Sequence, residues 1–538
     1  MRHAARFTVI VLLTPPSLAA QTAPLWRYTA TTPITFFRVT PLGSVVVGTA
    51  DGLAGLDPDT GSVTWKRDDL KNLKSPRYGA IEQTPFAVVR IGRGIELIDL
   101  ITGATKWRMP PALADVKGYL PLSERGLILL YGTNDSLQSV LVAVELETGA
   151  VRWQRLNPFR KAPELFGLDA PAGRAGRFGS EGGSPLVTGY LGHQPALWVS
   201  DSLFILYISE DGPALVHAGT GEWLWRAEGL RGNEPPALMR GYPPLLLADS
   251  IVYVPFEKRL QAIRLRDGAW LWTKEPKFPT RIGQLELTPR GLVVRGQLGK
   301  KGGFLVGGDG PHGGKSWLDL IDPVTGGSRW SNRWEYLPNV TPFVVDQDRV
   351  YIAVQEVLVT GRLEDGAAAP VVGFEFKGGE QPYLLERRAD GLLLLGNQNL
   401  LLADSTGRHH YHAYHPAPGK TSLGKVALGV LSVAGNLLLG LATMYDPSVN
   451  PDSRFIPFPS LRVRYAASEQ ARNYAYMLAH EADSTAQKRP VFLRLHKDDG
   501  RVVGRVWLEE KQPDYELDRV TGMLFVKKGE REILAFKM

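Results

Sequence analysis

At 538 residues, with 44% hydrophobic and 22% charged side chains, the chain has a globular composition, which excludes a disordered protein. The complete lack of cysteine excludes disulfides, thiolate metal sites, covalent c-type haem, a cysteine nucleophile and a lipid-modified cysteine. Net charge is +7, or about +5 without Arg2 and Arg6, and no Lys/Arg run exceeds a pair such as Lys300-Lys301 or Lys527-Lys528. Such a modest surplus describes a solvated surface, so no nucleic-acid partner is expected.

Residues 1–20 read as a signal peptide. Arg2 and Arg6 make a positive start, Phe7 to Leu13 an apolar stretch too short to span a bilayer, and Ser17-Leu18-Ala19 a small-residue cleavage site. The expected destination is the periplasm or the medium.

From there one pattern recurs: an apolar strand, a turn ending in glycine, and an aromatic residue four positions later. Asp57-Pro58-Asp59-Thr60-Gly61 followed by Trp65 is the clearest copy. The others pair Gly103 with Trp107, Gly149 with Trp153, Gly221 with Trp225, Gly268 with Trp272 and Gly326 with Trp330. Two degenerate copies follow, Gly407 with Tyr411 and Gly500 with Gly504, making eight signatures. Glycine supplies the positive φ that a tight hairpin turn needs, and Asp57, Asp99 and Asp322 can cap the turn's N–H groups. Glu145 can substitute, whereas His217, Arg264, Ala403 and His496 are weaker there. The residues two and four after each glycine are expected to share one strand face, and a tryptophan repeated at one spacing serves packing between units.

The pattern resembles the repeat of pyrroloquinoline-quinone (PQQ)-like β-propellers, over about Trp26 to Met538. The resemblance implies an all-β propeller of four-stranded blades, with eight blades expected and each tryptophan docked between neighbours. Trp26 on an orphan strand, and two unpartnered strands at Met523–Lys528 and Arg531–Lys537, would close it by pairing both ends of the chain. The propeller would occupy 21–538, with long insertions near 157–194, 296–316 and 413–474.

Within the second insertion, Gly308–Ser316 imitates a phosphate-binding loop. Asp309 stands where that loop needs its first glycine, and Trp317–Ile321 reads as a strand instead of the required helix. In the third, Val426–Met444 is 19 residues without a charge; a helix packed on the propeller, or strands, is expected, with superficial membrane contact as the alternative. Ala466–Glu481 is either a polar helix or the lead into a strand. His409, His410, His412 and His415 form the one metal-like cluster, but they lie on a degenerate outer strand, and no metal is expected.

Two functions share the repeat. The resemblance implies first an exported, non-enzymatic scaffold for a protein or cell-envelope component, monomeric and without cofactor. The alternative is a PQQ- and Ca²⁺-dependent dehydrogenase of alcohols or sugars, weakened by the missing adjacent cysteines and by the lack of any cluster matching the family's cation ligands. A third class, a ligand-sensing propeller, would use Trp198, Trp317 or Trp334 as exposed platforms.

Overall fold

A computed structural model describes residues 23–74, 77–158, 196–208, 212–230, 245–256, 258–280, 282–296, 316–331, 333–337, 341–418, 464, 467, 470–483 and 485–538. Short, alternating apolar strands separated by tight turns fold into antiparallel sheets, ten of them among the described residues. Blades 1 to 9 follow the chain at residues 34–67, 78–108, 115–156, 196–226, 246–264, 282–337, 344–373, 384–414 and 474–507. Blade 10 joins Asp514–Asp518, Met523–Lys528 and Glu532–Lys537 to Trp26–Thr29 from the other end of the chain.

The ends pair in register, Trp26 opposite Ala535 and Thr29 opposite Glu532. Ten apolar clusters fill the spaces between consecutive blades. The last of them packs Trp26 and Phe525 of blade 10 against Phe37 and Val45 of blade 1. The ring is closed.

The count is ten blades instead of eight. The copies at Gly407 and Gly500 both carry real sheets. A further turn at Gly366 carries blade 7 with Pro370, not an aromatic, four residues on. Its geometry is that of the others: Gly366 has φ +73° and donates its N–H to the Arg362 carbonyl at 2.9 Å, as Gly61 does to Asp57. Blades 5 and 9 have three regular strands each among the described residues. In blade 5 the outer strand is reduced to isolated bridges at Trp270 and Lys277.

One feature of the outer strands overturns the shared-face expectation. Val63 pairs with Leu56 while Trp65 pairs with the adjacent Gly55, so Thr64 is a β-bulge. The same irregularity recurs in blades 2, 3, 4, 7, 8 and 9. A bulge turns the two positions to opposite sides. Trp65 is buried while Val63 is 49% exposed, and Trp153 is buried while Val151 is exposed.

Candidate functional site

The repeat residues are all placed in joints. Each turn glycine has a positive φ, and at all of them but Gly407, which meets the Val371 carbonyl, a Cβ would strike the ring of the preceding blade's aromatic residue. Gly61 faces Trp26, Gly103 faces Trp65, Gly149 faces Trp107, Gly221 faces Trp153, Gly268 faces Trp225, Gly326 faces Trp272, Gly366 faces Trp330 and Gly500 faces Tyr411. The indole N–H then donates to a carbonyl of that same turn region: Trp65 to Leu100 and Trp107 to Leu146 at 2.8 Å, Trp153 to Ala218 at 2.7 Å. Trp225 donates to Leu265 at 2.6 Å, and Trp272 and Trp330 donate to Pro323 and Leu363 at 3.1 Å.

The carboxylates of Asp57, Asp99 and Asp322 each accept two turn N–H groups at 2.7–3.1 Å. His217 also accepts the Thr220 N–H, at 3.2 Å. An arginine two residues past the tryptophan adds a second latch. Arg67 donates to the Gly103 carbonyl and to the buried Glu96 at 2.9 and 2.7 Å, and Arg155 donates to the Gly221 carbonyl.

Chemistry-bearing groups gather where blades 8, 9, 10 and 1 meet. Gly500 lies between the last two strands of blade 9, so the strand wanting there, among the described residues, is the innermost. Ionisable side chains of blades 8, 9, 10 and 1 pair across these joints. Lys497, 3% exposed, lies 2.6 Å from Glu386 of blade 8, and burial pushes its ammonium below the usual lysine range while Glu386 opposes the shift. Arg388 binds Asp498, Asn473 and Glu386 at 2.6, 2.7 and 3.1 Å. Arg464 grips both oxygens of Asp518 at 2.8 and 3.1 Å and donates to the Pro41 carbonyl at 2.9 Å, tying blade 10 to blade 1. Arg38 of blade 1 meets Glu516 of blade 10 at 3.1 Å.

Burial pushes the Glu516 carboxyl up to about 7, and the Arg38 guanidinium only partly offsets this. A free glutamate titrates near ~4.3, so the folded state holds this proton longer than the unfolded chain does. The resulting stability is whole below about pH 4 and is lost as pH rises through about 7. Glu516→Gln is therefore expected to gain on the parent protein by on the order of 2 kcal/mol between pH 4.5 and 8. Denaturant midpoints at both pH values measure it; a pH-independent difference would contradict the assignment.

The histidine run does not converge. His410 falls at the blade 8 bulge and turns to Asp404 at 3.6 Å, His412 bonds Asn399 at 3.0 Å, and His415 bonds Glu481 at 3.0 Å. Among the described residues no three His, Asp or Glu side chains are grouped to hold a metal. Two of the three tryptophan platforms are core. Trp317 stacks on Phe278 with ring centres 4.2 Å apart, and Trp334 donates to the Gly366 carbonyl at 2.9 Å. Trp198 is half-buried, with the Arg125 guanidinium 5.5 Å from its ring.

The expected signal peptide at 1–20, and 159–195, 297–315 and Val426–Met444, lie outside the described residues. Among the described residues no helix is long and apolar enough to cross a membrane. Ser316–Ile321 is a strand, and the described part of Ala466–Glu481 passes from helical residues at 467, 470 and 471 into the strand Tyr474–Ala482.

The family profile described as outer membrane protein assembly factor BamB matches residues 48–182 and 93–298. No curated protein matches the chain. Among solved structures, BamB from Moraxella catarrhalis is 12% identical over 72% of this chain and 97% of its own, with a TM-score of 0.32. A quinohemoprotein alcohol dehydrogenase from Pseudomonas putida HK5 is 12% identical over 78% and 76%, with a TM-score of 0.31. The WD40 domain of SCAP from fission yeast is 7% identical over 96% and 98%, with a TM-score of 0.34. With its blades and its glycine-seated tryptophans the chain is a β-propeller, and over residues 48–298 it matches the PQQ-like repeat profile.

Proposed function

We propose that the protein is an exported, non-enzymatic scaffold that binds a protein or cell-envelope component across the face bearing the glycine turns. The observation that carries this reading is the division of labour in the structure. The recurring residues hold blades together, while that face leaves apolar side chains in water: Ile101 and Val324 at turn tips, 56% and 76% exposed, with Val63, Val151 and Val503 just beyond the turns. Apolar side chains set around the rim of a rigid ring suit a broad protein partner better than a small substrate. The matched family profile, named for an assembly factor, supports the same reading.

PQQ and Ca²⁺ have no part in it. What supports leaving them out is that Glu386 meets Lys497 and Arg388, Glu516 meets Arg38, and Asp518 meets Arg464.

The test cross-links the mature protein in envelope extracts beside an Ile101→Glu/Val324→Glu variant. A discrete partner held by the parent and lost from an equally stable variant is the expected result; equal capture by both would overturn the assigned face. A parallel arm adds PQQ with Ca²⁺ and a redox dye. Saturable thermal stabilisation together with turnover of alcohols or sugars would overturn the non-enzymatic part, because a ligand of the folded state must stabilise it.

A further inference from the structure

Three residues after each turn glycine a side chain stands on the outer wall of the ring. In four copies it is polar and exposed: Thr64, Lys106, Arg152 and Arg329. In blades 4 and 5 it is leucine, with tryptophan before it: Gly221-Glu222-Trp223-Leu224 and Gly268-Ala269-Trp270-Leu271. Leu224 is 46% exposed, Trp270 47% and Leu271 36%. The joints themselves are filled by the buried Trp225 and Trp272 that follow, so packing between blades does not account for these apolar side chains.

The two outer strands abut. Trp225 of blade 4 donates to the Leu265 carbonyl of blade 5 at 2.6 Å and covers Gly268. The Trp270 ring reaches back to Gly229, where a Cβ would stand 2.5 Å from it. The apolar wall therefore continues across one joint and is not a scatter of single residues, which would need no explanation.

Blade 5 sets cations beside it. Ile263 pairs with Trp270 and Arg259 with Lys277, so four steps along one strand face seven along the other, and three residues loop out. The Gln261 amide pins Trp272, accepting its N–H at 3.3 Å and donating to its carbonyl at 3.2 Å, so the excess falls at Thr273–Pro276. Lys274 on that loop, Lys277 and Lys258 are exposed, and none of the three meets a carboxylate among the described residues. The carboxylates close by are taken, Glu275 by Arg259 at 2.9 Å and Asp267 by Arg264 at 3.0 Å.

A partner strand has little edge to join here. The Leu271 N–H already donates to the Ala262 carbonyl at 2.9 Å and the Phe278 N–H to the Lys258 carbonyl at 2.8 Å. What is offered is a wall with a protruding loop, where indole and leucine side chains stand beside unmatched ammonium groups. Such side chains settle at the headgroup level of a bilayer, and the positive charge complements acidic headgroups.

We propose that the outer wall of blades 4 and 5 docks on an anionic phospholipid surface, with Leu224, Trp270 and Leu271 entering the headgroup layer and Lys258, Lys274 and Lys277 facing the lipid charge. This goes beyond the scaffold reading, which places the partner at turn tips such as those of blades 2 and 6, and each proposal is tested on its own variants.

The probes are phosphatidylethanolamine vesicles containing phosphatidylglycerol, beside vesicles of phosphatidylcholine alone, with the mature full-length protein. The parent is expected to co-sediment with the acidic vesicles, less at high salt, and hardly with the neutral ones. Leu224→Glu/Leu271→Glu, at unchanged thermal stability, should weaken binding at least about tenfold. Lys274→Glu/Lys277→Glu, which leaves the apolar side chains in place, should do the same at low salt and serves if the first variant is unstable. Quenching of tryptophan emission by lipid-borne bromine should fall in Trp270→Phe. No co-sedimentation, equal binding to both vesicles, or binding unchanged in the glutamate variants overturns the proposal. So does a photo-cross-linker in place of Leu271 that captures a protein in envelope extracts while the vesicles stay bare, which would make the wall a protein-docking surface.

Discussion

Gly103→Ala is expected to destabilise the ring several times more than Gly92→Ala, although both glycines sit at positive φ, +71° and +60°. An alanine pays about 1 kcal/mol for the left-handed backbone at either position. At Gly92 that is the whole cost, because nothing lies within 4 Å of the added methyl. At Gly103 the methyl would stand 2.7 Å from the Trp65 ring. That indole is held on its far edge by its bond to Leu100 and cannot retreat without losing it. Overpacking of a rigid ring adds about 1–3 kcal/mol, for a total on the order of 3 kcal/mol. A closed array of blades need not unfold in one step, so the measurement should be local. Hydrogen exchange of the strands Gly94–Asp99 and Val63–Arg67 should accelerate together in Gly103→Ala and stay near the parent value in Gly92→Ala. Equal effects from the two substitutions would show that glycine is there for its φ alone and that the tryptophan seat is incidental.

That double demand on one residue explains why the fold was legible. A turn glycine required by both φ and a neighbour's ring, with the ring at fixed spacing, writes itself into the chain wherever the joint is of this kind. It also explains the miscount of blades. Where the outer strand carries Pro370 in place of an aromatic, the joint between blades 7 and 8 has no ring seated on Gly407, and Gly366 stands without its partner signal four residues on. The spacing held the missing information: the 81 residues from Gly326 to Gly407 divide at Gly366 into two blade lengths of 40 and 41. The bulge that follows the glycine in seven blades was hidden because alternation assumes an unbroken pleat, and Val63 reads as a core partner of Trp65 until the extra residue is counted.

The ionic cluster of blades 8, 9, 10 and 1 could not be read from the chain at all. Arg38 and Glu516 are 478 positions apart, and Glu386 and Lys497 are 111 apart. No local motif links them. They meet because the ring closes between blades 10 and 1 and because consecutive blades 8 and 9 pack side by side. The same closure makes the end-to-end joint unlike any other in the molecule.

Trp26→Ala tests that difference. Its ring packs 5.7 Å from Phe525, covers Gly61 of blade 1, and its N–H donates to the Pro58 carbonyl at 2.8 Å. Truncating a buried tryptophan costs about 3–5 kcal/mol, and Trp107→Ala at an ordinary joint should lose a similar amount. The consequences should differ, because the strands on either side of Trp107 stay covalently joined to their own blades. Trp26 instead anchors a four-residue strand that completes blade 10 from the opposite end of the chain. Once it is loosened, the strand Glu532–Lys537 becomes an open edge with unpaired backbone groups, a surface that recruits a second copy. Trp26→Ala is thus expected to show early proteolytic cleavage before Ile34 and association that rises with concentration in light scattering. Trp107→Ala, at matched loss of stability, should show neither. If both variants stay monomeric and are cut alike, the end-to-end strand is not what holds the ring shut, and closure must rest on the apolar contacts of Phe37 and Val45 with Phe525 alone.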